Sequence, residues 1–340
     1  MRAKDLIAYL ASTIKARLPV LITGAPGIGK SDIVTQAAID ADADLILSHP
    51  AVADPTDVKG LPWIVDGKAT FLPFGELAQA LNTDRATVWF LDDLGQASPA
   101  VQASYMQLLL ARRVNGHVLS DNVTFIAATN RRTDRAGVSG ILEPVKSRFL
   151  GGIVELEAHL DDWCTWAIAK NIAPELIAFL RFQPDLLCKF QASADLVNCP
   201  VPRTWSGVSK ILELGLPATI QSQAIAGIVG DGAATEFLAF LRLYRELPNV
   251  DQILIDPDSV AIPENPATLY ALAGALAHRT TETNFARVAR FAERMIAEGR
   301  GEFSVLTIRD AMNRHPKIVQ TTAFVKLATG ELGQLISGSN

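Results

Sequence analysis

A phosphate-binding loop near the N-terminus constrains the fold of this chain more than any other feature of its sequence. Residues 24–31, GAPGIGKS, match the pattern G-x-x-x-x-G-K-[ST] at every required position. The apolar run at 19–23 predicts a buried strand before the loop, and the residues from Ser31 onward predict a helix after it. The motif therefore has the strand, loop and helix context that a phosphate site needs. The predicted loop residues are Gly24, Ala25, Pro26, Gly27, Ile28, Gly29, Lys30 and Ser31.

The chemistry of this loop predicts a bound nucleotide and Mg²⁺. Its glycines let the backbone curl so that several N–H groups point at phosphate oxygens. The N-terminus of the following helix adds a partial positive charge. We expect Lys30 to reach the β- and γ-phosphates and the hydroxyl of Ser31 to ligate Mg²⁺.

Two further strands are predicted to end in polar side chains beside the phosphates. The apolar run at 86–91 ends in Asp92 and Asp93, of which the first is expected to hold the Mg²⁺ shell and the second to orient the attacking water. The run at 123–130 ends in Asn130. Because ligands of open α/β sheets bind at the carboxyl ends of the parallel strands, the Asn130 amide is expected near the γ-phosphate or the water.

Composition narrows the class of protein. The chain has 340 residues, of which 49% are hydrophobic, so it can bury a sizeable core. Its net charge of −5 argues against a protein whose main task is to bind the phosphates of a nucleic acid. The three cysteines lie far apart without a C-x-x-C pair, as expected for free thiols in a reducing compartment. The sequence has no apolar run of membrane-spanning length, and its N-terminus lacks an apolar secretory core, so a cytoplasmic location is expected.

The segment at 50–75 is predicted to be an insert between two strands of the core. It is rich in turn-forming residues, and Asp66-Gly67 predicts a hairpin turn. The insert is either a surface arm that touches a partner or substrate, or a connector in which Trp63 and Phe71 pack locally. A second small hairpin is predicted around an Asn-Gly pair at 115–116.

From about residue 157 onward helical patterns replace strands. The predicted organisation is an α/β nucleotide-binding core at 1–156 with the insert at 50–75, a helical lid at 157–256 and a helical extension at 257–340. In the lid, Arg203 stands in the first turn of a predicted helix, where the dipole disfavours a cation, so we expect it to serve an anion. The basic cluster Arg131, Arg132 and Arg135 is an interface, a contact to a neighbouring nucleotide site or a solvated loop.

The chain resembles the AAA+ ATPases, and within them the MoxR branch, over roughly residues 1–250. The resemblance depends on five ordered elements. They are the phosphate loop (Walker A) at 24–31, the acidic strand (Walker B) at 88–93, the strand ending in Asn130, Ser147-Arg148-Phe149 and Pro202-Arg203. The similarity to the MoxR branch lies in the insert around 57–77 and in the hairpin at 113–119.

This resemblance implies a five-stranded parallel sheet flanked by helices and an ATPase that converts ATP and water to ADP and phosphate. It implies a ring, generally a hexamer, in which Asn130 is sensor 1, Arg148 is the arginine finger that acts on the next subunit, and Arg203 is sensor 2. MoxR-like members remodel or mature a protein client, typically with a von Willebrand factor A domain partner. The alternatives are a motor or helicase loader directed to nucleic acid, and an ATP-dependent scaffold with slow turnover.

The chain departs from the family pattern at two positions. The second acid is usually Glu, and here it is Asp93, whose reach is shorter by roughly 1.5 Å. The residue after the sensor Asn is usually Pro, and here it is Arg131.

Overall fold

The computed structural model describes residues 1–134, 140–193, 195–330, 333 and 335. It divides into two compact units, one formed by Met1–His159 with Phe190–Ala194 and the other by Leu160–Lys189 with Asp195–Asn340. Arg135, the third member of the predicted basic cluster, lies outside the described residues.

The first unit is built on a five-stranded parallel sheet, as predicted. The strands are β1 Val20–Gly24, β2 Asp44–Ser48, β3 Leu61–Val65, β4 Lys68–Leu72, β5 Thr87–Leu91, β6 Arg113–Val114, β7 His117–Val118, β8 Val123–Asn130 and β9 Ile153–Glu155. The main sheet has the order β2-β5-β8-β1-β9, with every neighbouring pair parallel. Strands β1 and β8 are therefore adjacent, and their carboxyl ends bring the phosphate loop and Asn130 to one edge.

Helices cover both faces of this sheet. They are α1 Ala3–Ala16, α2 Lys30–Asp40, α3 Pro55–Lys59, α4 Gly75–Leu81, α5 Pro99–Ala111 and α6 Glu143–Lys146. Alternate residues of β5 point to opposite faces, since Val88 and Phe90 join the core under α1 and α2 while Trp89 and Leu91 join the core under α5. Burial on both faces explains why the central strands β5 and β8 are largely apolar runs.

Two hairpins project from this unit, each at the turn that the sequence predicts. The β3–β4 hairpin turns through Asp66 and Gly67, and the β6–β7 hairpin turns through Asn115 and Gly116. All four residues have φ between 48° and 88°, the left-handed region that such two-residue turns require.

The second unit is helical. Its helices are α7 Leu160–Ala169, α8 Pro174–Phe182, α9 Pro202–Glu213, α10 Ala218–Val229, α11 Asp231–Arg245, α12 Val250–Ile255, α13 Pro266–Arg279, α14 Phe285–Ala297, α15 Gly301–Arg314 and α16 Thr322–Ala328. One core surrounds Phe179, which lies against Trp205, Phe237 and Phe240. A second core joins α12 to α16, and a salt bridge between Arg181 of α8 and Asp310 of α15 connects the two halves of the unit.

Some helix boundaries differ from those that the sequence predicts. The sequence predicts helices at 218–229, 233–245 and 308–313. In the structure α11 begins at Asp231, two residues early, and α15 begins at Gly301, seven residues early. Ile253 of α12 belongs to the core of the later helices, although it precedes the predicted boundary at 256. The division into lid and extension stays a prediction.

Over the described residues, none of the helices has the length and apolar character to cross a membrane.

Candidate functional site

The phosphate loop connects the end of β1 to the start of α2. Gly27 and Gly29 have φ of 72° and 101°, and Gly29 directly precedes the first helical residue, Lys30. A Cβ placed on Gly24 would lie 3.0 Å from the carbonyl oxygen of Leu156, so the start of the loop packs tightly against the chain that follows β9. These glycines therefore allow the turn and the close approach that a phosphate cradle needs.

Lys30 is buried at the centre of the site. Its Nζ donates hydrogen bonds to the carbonyl oxygens of Gly24 and Ala25, at 3.0 and 3.1 Å, and to Oδ1 of Asn130 at 2.7 Å. The ammonium group is thus held over the loop by the end of β1 and the end of β8. A phosphate bound in the loop would compete with Asn130 for this donor.

Ser31 and Asp92, the two residues predicted to hold Mg²⁺, are hydrogen-bonded to each other. The hydroxyl of Ser31 donates to Oδ2 of Asp92 at 2.7 Å. A hydroxyl and a carboxylate at this separation suit Mg²⁺, which takes oxygen ligands, keeps several waters and is completed by substrate phosphates. The described residues contain no group of three or more His, Cys, Asp or Glu side chains that could hold a metal ion, so any Mg²⁺ here would need ligands from the nucleotide and water.

Asp93 has a left-handed backbone conformation, with φ of 56° and ψ of 35°. Asp and Asn tolerate this region better than longer side chains do. Its carboxylate Oδ1 accepts a hydrogen bond of 3.4 Å from Nδ2 of Asn130. The same amide therefore contacts Lys30 through its oxygen and Asp93 through its nitrogen.

The sheet register explains why these residues meet. Asn130 is opposite Gly24 in the β1–β8 pair, and Leu91, which precedes the acidic pair, is opposite Ala127 in the β5–β8 pair. Five side chains chosen from sequence thus lie in two hydrogen-bonded groups at the carboxyl edge of the sheet. The groups are Ser31 with Asp92, and Lys30 with Asn130 and Asp93.

Arg148 and Arg203 are outside this network. The Arg148 side chain is half-buried, and its Nε donates to the carbonyl oxygen of Met106 at 3.0 Å while its Nη1 donates to the carbonyl oxygen of Pro144. Arg203 belongs to the second unit, where it is exposed in the first turn of α9. Within the described part of the chain, Arg203 makes no hydrogen bond or ion pair, whereas Arg148 is held by the backbone carbonyl groups of Met106 and Pro144.

The two described members of the basic cluster, Arg131 and Arg132, have different surroundings. Arg131 makes a bidentate ion pair with Asp134, with both N–O distances 3.0 Å, and its Nη1 lies 3.2 Å from Oε1 of Glu155. The hydrogen bonds to Asp134 raise the pKa of this guanidinium. Arg132 is exposed. Sequence reasoning missed both contacts. The spacing of Arg131 and Asp134 by three residues could have indicated the first, while the contact with Glu155 depends on the strand order.

Comparison with known proteins agrees with this architecture. Residues 19–149 match the family model described as AAA domain (dynein-related subfamily). This segment contains the phosphate loop, the acidic pair, Asn130 and Arg148. The predicted fold class is confirmed: an AAA+ fold with a five-stranded parallel sheet flanked by helices, followed by a helical region. The match supports an ATP-binding AAA domain within residues 19–149, which are less than half of the chain, and it does not indicate the MoxR branch.

Solved structures with similar folds are distant. The RuvB Holliday junction branch migration motor of Thermotoga maritima has 16% sequence identity and a TM-score of 0.38, covering 80% of each chain. NtrX from Brucella abortus, solved in complex with ATP, has 14% identity and a TM-score of 0.44, covering 89% of this chain and 67% of that one. Similarities at this level support no argument about function. No curated protein matches the sequence.

Proposed function

We propose that this chain is an ATP-hydrolysing AAA+ ring motor, similar to the MoxR branch, that remodels or matures a protein client. The observation that supports hydrolysis most directly is the position of Asn130 between Lys30 and Asp93. Phosphoryl transfer to water needs a cation that binds the phosphates and a group that orients the attacking water. In this proposal Lys30 and Asp93 are these two groups, and the Asn130 amide contacts both of them.

Each residue of the site has a defined part in this proposal. The N–H groups of the loop and Lys30 bind the phosphates, while Ser31 and Asp92 hold Mg²⁺. Asp93 accepts a hydrogen bond from the attacking water and takes up its proton. Bound Mg²⁺ supplies positive charge that offsets the charge developing on the phosphate oxygens.

Arg148 is proposed to act on the nucleotide bound to a neighbouring copy of the chain. Its contacts with the Met106 and Pro144 carbonyls fix the orientation of the guanidinium while it stays half-exposed. A guanidinium suits the spread charge of a transferring phosphoryl group, and an arginine supplied in trans makes turnover depend on assembly. Arg203, exposed and free of ion pairs over the described residues, is proposed to sense the nucleotide from the helical unit.

The β3–β4 hairpin is the proposed client-binding surface. It exposes large apolar side chains on both of its faces, with Trp63 64% and Ile64 72% exposed. The exposure of Trp63 and Phe71 argues against the alternative in which these two residues pack locally. The exposed apolar residues of the hairpin are Leu61, Trp63, Ile64, Val65, Phe71 and Leu72.

Charge favours a protein client over a nucleic acid. The insert contains only Lys59 and Lys68 as cations, against Asp54, Asp57 and Asp66. Two arginines that could contact nucleic acid are engaged within the chain. Arg112 donates to the carbonyl oxygens of Val123 and Ser120, and Arg131 pairs with carboxylates. An apolar hairpin with one acidic and one basic residue, Asp66 and Lys68, suits apolar polypeptide segments.

We propose a von Willebrand factor A domain protein as the partner.

The test is ATP turnover measured over a range of protein concentrations for the native protein, Arg148→Ala, Lys30→Ala and an equal mixture of the two variants. Turnover per subunit is expected to rise with concentration, each variant to be inactive and the mixture to recover activity, because a mixed ring contains interfaces with one intact lysine and one intact arginine. Turnover that is independent of concentration, with Arg148→Ala unimpaired, would overturn the shared site. Tight ATP binding without turnover would instead favour the scaffold.

A further inference from the structure

Arg131 connects three elements at the phosphate edge of the sheet. It directly follows Asn130 at the end of β8, it pairs with Asp134 in the next turn, and it reaches Glu155 on β9. Strand β1 lies between β8 and β9 in the sheet. Because neighbouring strands are about 4.8 Å apart, the ends of β8 and β9 are about 10 Å apart, and the Arg131 and Glu155 side chains together span this gap across the end of β1.

The point that this bridge crosses is where the phosphate loop begins. Asn130 is opposite Gly24, and Glu155 is opposite Thr23, so the bridge passes over the last two residues of β1. The Asp134 carboxylate is only 8% exposed and engages two guanidinium nitrogens, which fixes the plane of the guanidinium. The third nitrogen is thereby directed to Glu155.

We propose that Arg131 is a positioning residue that holds the Asn130 amide between Lys30 and Asp93 by tying the ends of β8 and β9 together across the phosphate loop. This inference depends on the proposed hydrolysis for its kinetic consequence. Lys30 and the loop amides bind phosphate without the bridge, whereas the amide that contacts Asp93 is one residue from Arg131. Loss of the bridge is therefore expected to lower kcat more than nucleotide affinity.

The experiment compares Arg131→Ala with Arg132→Ala, which removes the same charge from the next residue, an exposed arginine outside the bridge. Glu155→Gln removes the carboxylate on β9 but leaves the ion pair between Arg131 and Asp134. Arg131→Lys keeps the positive charge but loses the planar set of N–H donors that binds two carboxylates at once. Three quantities are measured on the full chain: kcat for ATP, the Kd of a fluorescent ATP analogue, and amide hydrogen exchange of residues 127–130 without nucleotide.

Arg131→Ala is expected to lower kcat about tenfold, to change Kd less than threefold, and to speed amide exchange at the end of β8 about tenfold. Glu155→Gln is expected to reproduce the kcat loss in part, Arg131→Lys to retain part of the native kcat, and Arg132→Ala to match the native protein. Equal kcat for Arg131→Ala and Arg132→Ala, or a parallel loss of kcat and affinity, would overturn the proposal. If the native protein does not hydrolyse ATP, the proposed function fails, and hydrogen exchange alone decides on the bridge: unchanged exchange in Arg131→Ala would overturn it.

Discussion

The amide of Asn130 accepts a hydrogen bond of 2.7 Å from Lys30 and donates one of 3.4 Å to Asp93. One neutral side chain therefore contacts both the cation proposed to bind phosphate and the acid proposed to activate water. An amide is suited to this position, since it offers an acceptor and a donor at the same time.

Replacing Asn130 by Ala is expected to slow ATP turnover about a hundredfold, in line with the loss of a preorganised donor at a reacting centre. Nucleotide affinity should change little, because the loop amides and Lys30 remain. Steady-state kinetics together with a direct Kd for ATP check this. The opposite pattern, a large loss of affinity with kcat preserved, would place Asn130 in phosphate binding alone.

Replacing Asp93 by Asn is expected to reduce turnover by at least about a hundredfold, since a general base typically contributes that much or more. ATP binding should persist. Asp93→Glu tests the shorter reach of the native acid: kcat should increase, while stability falls by about 1 kcal/mol because a longer side chain tolerates the left-handed conformation less well. Turnover of Asp93→Asn equal to that of the native protein would remove Asp93 from the mechanism.

Replacing Ile64 by Ala is expected to leave basal turnover and the melting temperature unchanged, because the side chain is largely exposed. Stimulation of the ATPase by an unfolded protein such as casein should fall severalfold. Ile39→Ala is the matched control, since Ile39 is 64% exposed on α2 and away from the hairpin. A similar loss in both variants, or stimulation by single-stranded DNA in place of casein, would argue against the proposed surface.

The Arg181–Asp310 pair is buried in the helical unit, with side-chain exposures of 11% and 5%. Asp310→Leu leaves a buried guanidinium without its partner and should lower the unfolding free energy by about 3–5 kcal/mol. The double variant with Arg181→Met should recover most of this loss, because neither charge remains. Urea denaturation of the two single variants and the double variant checks the coupling, and additive losses would show that the ion pair contributes little.

Glu175, in the first turn of α8, should make stability depend on pH. Burial raises the pKa of this carboxyl above its ordinary value, against the opposing effects of a backbone hydrogen bond and of Arg245. The folded protein therefore binds the proton more readily than the unfolded chain does, so folding is penalised as pH rises above about 4.5 and the group ionises. Glu175→Gln should raise the melting temperature at pH 7 and have no such effect near pH 4. A pH-independent difference between the two proteins would contradict the sign.

The sequence indicates the central strands of the sheet because β5 and β8 are buried on both faces. The apolar run at 86–91 corresponds to β5, Thr87–Leu91, and β8 ends at Asn130 as expected, since continuous apolar runs followed by polar residues leave little ambiguity. The early start of α15 was missed for the opposite reason. Its buried face carries Ser304, Thr307 and Asp310, so hydrophobic periodicity fails there.

The grouping of the site residues follows from the predicted ends of the strands. Asn130 ends β8, and Asp93 and Lys30 follow the two strands beside it, β5 and β1. Because these strands are parallel, their carboxyl ends lie at the same edge of the sheet and bring the three residues together. The contact between Arg131 and Glu155 could not be predicted. It requires that β9 lie beside β1 and that the two side chains meet across the end of β1.

The β3–β4 hairpin has a consequence for how the protein behaves at high concentration. A two-stranded ribbon with large apolar side chains on both faces offers its outer edges to any other strand, including the same ribbon of another copy. Pro62 removes one N–H from β3, and Lys68 places a charge next to the turn. These two residues make edge-to-edge stacking less favourable without covering the apolar surface. The apolar side chains of the hairpin therefore remain exposed for the proposed client, while stacking of hairpins from different copies into fibrils is disfavoured.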